Sequence, residues 1–142
     1  MIVQLHITNW RFGLIQAKLV RTLKGSVIDF VVDLREMSDT YGKFEYFELN
    51  DRNNLSLFIP PYYAHGFLSL ENDTIFTYKC GNYYNKNAEG SVVYSDPIIR
   101  HVEDNNRTIK DIIDFYYPCE SEDDLLLSYK DKHAPKFLKR KY

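Results

Sequence analysis

Apolar and polar residues alternate with a period of two through most of this chain, the pattern of half-buried strands. In the first run, MIVQLHITNW, Val3, Leu5 and Ile7 share one face and Gln4, His6 and Thr8 the other. A loop at 9–13 leads into a second strand over 14–23, where Gln16, Lys18, Val20 and Thr22 share a face. After the Lys24-Gly25 turn, residues 27–35 put Ile28, Phe30, Val32 and Leu34 on one side and Asp29, Val31, Asp33 and Arg35 on the other. Further strands are predicted over 43–49, 55–59, 67–70, 74–80 and 90–94, with turn residues at 38–42, 50–54 and 71–73. Strands recurring this closely predict an all-β sandwich or barrel in a single domain spanning 1–142. After Pro97 the pattern fades: 108–116 (TIKDIIDFY) predicts a helical turn or two, 121–124 is acidic and exposed, and the end is a short apolar anchor with a polar tail.

The stretch FIPPYYAHGF (58–67) interrupts this rhythm. Two prolines cannot donate to a sheet ladder and so stop the preceding strand. His65 then sits between Ala64 and Gly66, small neighbours that leave an imidazole room to face a cavity. This reads as a corner beside a barrel interior, with His65 either a satisfied core group or a cavity group.

Composition narrows the partners. A net charge of −2 carries no nucleic-acid or anionic-membrane footprint. No apolar run approaches the length of a membrane span, and no signal-like leader is evident. Two cysteines, Cys80 and Cys119, form neither a disulfide framework nor a zinc pattern, which suggests a reduced, cytoplasmic protein. His101 and His133 lie in tail-like, exposed surroundings, and no metal-ligand set is visible.

The inward polar residues carry the chemistry. His6, Gln16, Lys18, Asp29 and Tyr78 all sit mid-strand among apolar neighbours. A polar group inside a small barrel costs free energy unless paired, so several together with His65 suggest a polar pocket. A histidine base, a tyrosine acid and a lysine charge are what proton abstraction beside a carbonyl requires.

Several segments in order, QAKLVRTLKGSVIDFVVDLR, SDTYGKF, LFIPPYYAHGFLSL, FTYKCGNYY, EGSVVYSDP and LLSYKDKHAP, resemble the dTDP-4-dehydrorhamnose 3,5-epimerase family. The resemblance implies a cupin-type antiparallel jelly-roll barrel with a short C-terminal helical or irregular segment. It also implies a homodimer, no cofactor or metal, and a 4-keto-6-deoxy nucleotide sugar as substrate. By resemblance, His6 is the general base, Asp131 orients it, Lys18 stands near the keto oxygen and Tyr78 is the proton donor on the opposite sugar face. His65, Tyr84, Glu89, Gln16 and Asp29 are the implied substrate-binding set, with Tyr84 stacking on the thymine.

Three departures bear on binding. The family carries a longer lead before the LH motif, which crosses to the partner subunit and supplies an arginine and a glutamate; the expectation is that this chain lacks it. The family's RGLH arginine is Val3 here, and the loop between His6 and Gln16 is longer and carries Trp10, Arg11 and Phe12. The expectation is retained proton chemistry with altered nucleotide binding, Arg11 and Arg21 being the candidate replacements. A non-catalytic cupin that binds a sugar nucleotide and a cupin 3,4-ketoisomerase are the alternatives.

Overall fold

The computed structural model describes residues 2–8, 16–83, 85, 89–118, 121 and 125–137. In chain order the elements are β1 (Ile2–Thr8), β2 (Lys18–Lys24), β3 (Ser26–Asp33), β4 (Lys43–Asn50), β5 (Ser56–Ile59), β6 (Tyr63–Ser69), β7 (Ile75–Cys80), β8 (Glu89–Ser91), β9 (Arg100–His101), α1 (Ile109–Tyr116), β10 (Leu126–Leu127) and α2 (Tyr129–Lys132). They build a larger sheet in the order β10-β1-β6-β3-β4-β9, with β8 also on β1, and a smaller sheet in the order β5-β2-β7.

The expected all-β architecture is present, with two differences. The two sheets face each other without closing into a continuous barrel, since among the described residues no ladder joins one to the other. The pairing is antiparallel except at two edges, where β10 runs parallel to β1 and β9 parallel to β4.

Alternation in β2 buries Lys18, Val20 and Thr22 between the sheets and turns Leu19 and Leu23 outward. Val27, Leu49 and Ile59 complete that inner core, with Val31, Leu57, Tyr63, Phe67 and Phe76 packed against it. β3 is buried on both faces. Ile28, Phe30 and Val32 point away from the smaller sheet into a second, larger core shared with Ile109, Ile112 and Ile113 of α1, Leu125 and Phe137. That helix forms where the sequence suggested. Its apolar residues recur at the i, i+3, i+4 spacing of a one-sided helix, and Thr108 caps it in a capping box with Asp111.

Two local expectations change. The corner after β5 occupies residues 60–62, with Tyr62 in the left-handed region at φ 69°, and β6 starts at Tyr63, so His65 lies inside a strand and not at the corner. Its small neighbours Ala64 and Gly66 are buried, with the parity of the opposite face of β6. His101, expected to be exposed, is buried because β9 docks beside β4. Its ring sits 5.4 Å from Phe44 and 5.5 Å from Tyr46. Its Nδ1 accepts from the Asp104 N–H at 3.1 Å, which leaves Nε2–H to donate to Glu45 Oε1 at 3.0 Å. No helix among the described residues is long and apolar enough to cross a membrane.

Candidate active site

Strand parity gathers four of the expected residues on the inner face. Lys18 of β2 is 9% exposed, and its register partners are Ile59 and Cys80. Asp29 of β3 and His65 of β6 are 0% and 6% exposed. Their strands are adjacent, and the two side chains meet diagonally across the pair, with Asp29 Oδ2 2.7 Å from His65 Nε2. Asp29 Oδ1 is buried and has no hydrogen-bond partner among the described residues. Burial pushes the Asp29 carboxyl above the usual carboxylate range; the charge and hydrogen bond of His65, and the ammonium of Lys18, offset only part of this.

Tyr78 of β7 faces Val20 of β2 in register, and Val20 is wholly buried between the sheets, so Tyr78 shares the inner face. It is nevertheless 62% exposed. The reason is its strand: β7 is an edge of the smaller sheet and is exposed along most of its length.

His6 and Glu89 are described through their backbone pairing. β1 sets His6 opposite His65 on one side and opposite Ser91 of β8 on the other, and Glu89 stands opposite Thr8. The third strand of this wall thus carries His6 at the level of His65. Asp131 sits on α2, which packs against β1 just after β10 has paired with Ile2 and Val3. Asp131 is 4% exposed. The Ser128 hydroxyl donates to its Oδ2 at 2.5 Å, while Oδ1 is buried without a partner among the described residues.

Gln16 donates from its side-chain amide to the Asn82 carbonyl at 2.6 Å, tying the start of β2 to the turn after β7. Tyr84 lies outside the described residues, as do Trp10, Arg11, Phe12 and Cys119. Arg21 does not fit the part of a phosphate partner. It has the parity of Leu19, on the outer face of the smaller sheet, and its guanidinium donates to Asn54 Oδ1 at 2.7 Å. Lys18, Asp29, His65 and Tyr78 thus share the inner face, with the His6 backbone opposite His65, and Arg21 lies on the other face of its sheet.

The residue the sequence reading passed over is Phe76. Its ring stacks on His65 at 6.3 Å and 25°, and lies 4.5 Å from Phe67. The signal was its spacing: two residues from Tyr78 on one strand, it had to share the same face.

The sequence model described as dTDP-4-dehydrorhamnose 3,5-epimerase matches residues 2–139. A dTDP-4-dehydrorhamnose 3,5-epimerase of Methanothermobacter thermautotrophicus is 39% identical over 118 residues, which is 83% of this chain and 56% of that protein. This chain thus spans little more than half the length of that relative. The crystal structure of a dTDP-4-dehydrorhamnose 3,5-epimerase from Elizabethkingia anophelis superposes with a TM-score of 0.79 at 38% identity, covering 99% of this chain and 68% of that one. The dTDP-6-deoxy-D-glucose-3,5-epimerase of Legionella pneumophila, solved in complex with dTDP-4-keto-L-rhamnose, gives a TM-score of 0.74 at 30% identity, covering 95% and 62%. The cupin-type fold expected from the motifs is borne out by these likenesses. With the motifs, the fold and the family match over residues 2–139 in agreement, this chain belongs to the dTDP-4-dehydrorhamnose 3,5-epimerase family.

Proposed function

We propose that this chain is an isomerase of a 4-keto-6-deoxy nucleotide sugar, dTDP-linked, inverting C3, C5 or both by proton removal and return in the biosynthesis of cell-surface sugars. The observation that carries the reading is the buried Asp29–His65 pair beside Lys18, with Tyr78 on the same inner face.

A C–H beside a ketone is a weak acid, so a base must reach it and the resulting enolate oxygen must meet positive charge. His6 is the base. Asp131, whose buried Oδ1 is unpartnered among the described residues and whose helix packs on the His6 strand, holds its ring in the accepting tautomer. The C–H electron pair moves onto the ketone oxygen, and Lys18 balances the charge. Tyr78 returns a proton to the opposite face, which is what inverts the centre. His65, fixed through Nε2 by Asp29, leaves Nδ1 for the sugar. Gln16, Tyr84 and Glu89 complete the proposed binding set.

The assembly proposed is a cytoplasmic homodimer. Its face is the outside of the smaller sheet, where Leu19, Phe58, Leu23 and Ile75 are all at least 41% exposed. Light scattering at micromolar concentration should give twice the chain mass, and a monomer would contradict this part.

The test of function is solvent exchange. In deuterated water the substrate should gain deuterium at each inverted carbon. His6→Ala should lose this exchange by at least ~10²-fold, the usual loss on removing a general base. Tyr78→Phe should still exchange but make no inverted sugar. Exchange at the wild-type rate in His6→Ala would move the base elsewhere.

A further inference from the structure

We propose that Phe76 is the positioning residue that sets the distance between Tyr78 and the opposite wall of the site. The inference rests on the function proposed above and deepens it. Inverting a carbon needs two groups on opposite faces of one sugar ring, so the gap between the two walls must be fixed. In a closed barrel a continuous ladder would fix it. Here β7 pairs only with β2 among the described residues, and β6 belongs to the other sheet. The strand that carries Tyr78 is therefore held against the strand that carries His65 by side chains.

Among the described residues, Phe76 makes the aromatic contacts that cross this gap. It lies over His65 at 6.3 Å with an interplanar angle of 25°, and against Phe67 at 4.5 Å with an angle of 36°. Both partners are on β6. Tyr78 follows two residues later on the same inner face, about 7 Å along the strand. Itself largely exposed, Tyr78 has little packing of its own to locate it. The same ring lies beside the His65 imidazole, while Asp29 fixes Nε2. One side chain thus orients a binding group and spaces the proton donor.

The consequence is specific. A shorter, non-aromatic residue at 76 should leave proton removal by His6 on β1 intact and impair proton return by Tyr78. An error of about 1 Å in placing a catalytic group can lower a rate by ~10²-fold.

The experiment compares wild type, Phe76→Leu and Phe76→Tyr. In deuterated water, the ratio of inverted product to deuterium gained by recovered substrate is measured. Alongside it, amide hydrogen exchange is followed in segments 75–80 and 26–33. Phe76→Leu should lower the product-to-exchange ratio by about 10–100-fold through kcat with KM little changed. Amides of 75–80 should exchange faster while those of 26–33 do not, and Phe76→Tyr should restore both. An unchanged ratio in Phe76→Leu overturns the inference, as does equal loosening of both segments, which would mark a general loss of packing. A wild type that exchanges no substrate proton overturns the proposed function instead. The positioning claim is then decided by the amide exchange: unaltered protection of 75–80 in Phe76→Leu refutes it, and selective loosening supports it.

Discussion

Removing His65 while leaving Asp29 in place should be strongly destabilising, and the cost should depend on pH. Asp29 is fully buried, with its Oδ2 2.7 Å from His65 Nε2. His65→Ala strips away that bond and leaves the attraction of the Lys18 ammonium for the carboxylate. Breaking a buried pair by deleting one partner costs about 3–5 kcal/mol, and Lys18 brings the expected value to the lower end, about 3 kcal/mol at pH 8. The sign of the pH effect follows from the shift. Burial already raises the Asp29 pKa, and without His65 two of the opposing influences are gone, so it rises further. The folded state then pays for a buried charge above that pKa and is relieved as pH falls through it. Asp29→Asn keeps an acceptor for His65 and removes the charge, so it should cost under about 1 kcal/mol. The double variant should lose less than the sum, and the cycle cancels the packing lost with the imidazole. Urea unfolding of the four proteins at pH 8 and pH 5 measures all of this. A His65→Ala cost below about 1 kcal/mol, equal at both pH values and additive with Asp29→Asn, would refute the argument.

Gly42→Ala should destabilise by about 2 kcal/mol, because Gly42 has φ 74°, where a side chain is strained, and a Cβ there would lie 3.2 Å from Phe137 Cε1. A thermal midpoint within error of wild type would contradict this. Asp33→Asn should weaken the 33–40 loop in a pH-dependent way. Burial alone would raise the Asp33 carboxyl, but hydrogen bonds from Arg35, Ser38 and Thr40 outweigh it and hold the group well below the usual range. Its contribution is then complete above about pH 4 and is lost as pH falls further, so the gap between wild type and Asp33→Asn should narrow below that point. A gap of the same size at pH 3 and pH 7, read from thermal unfolding, would count against it.

Much of this was legible because a strand's period of two is local. Alternation in 14–23 put Lys18 with Val20 and Thr22, and that face is the buried one. Alternation in 27–35 likewise separated Asp29 from Ile28 and Phe30, and each set packs with its own core. What the pattern could not contain was the second layer. Ile28, Phe30 and Val32 read as one core face, yet a second core lies behind β3 and uses α1, Leu125 and Phe137, which are distant in sequence. His101 looks exposed in the sequence for the same reason: its burial comes from docking beside Phe44 and Tyr46, residues far upstream. Arg21 suggests a phosphate partner by its charge, but its parity turns it away from the site. The Asp29–His65 bond joins strands far apart in the chain and depends on register, which no local pattern fixes.

The central claim is proton transfer at a carbon beside a ketone, and NMR of a dTDP-linked 4-keto-6-deoxy sugar incubated with the protein in deuterated water tests it most directly. The account predicts deuterium at C3, C5 or both in wild type together with inverted sugar, loss of exchange in His6→Ala, and exchange without inversion in Tyr78→Phe. Wild-type protein that binds the sugar nucleotide and leaves every carbon-bound proton in place, or that moves the keto group to C3 without inverting a centre, would contradict it.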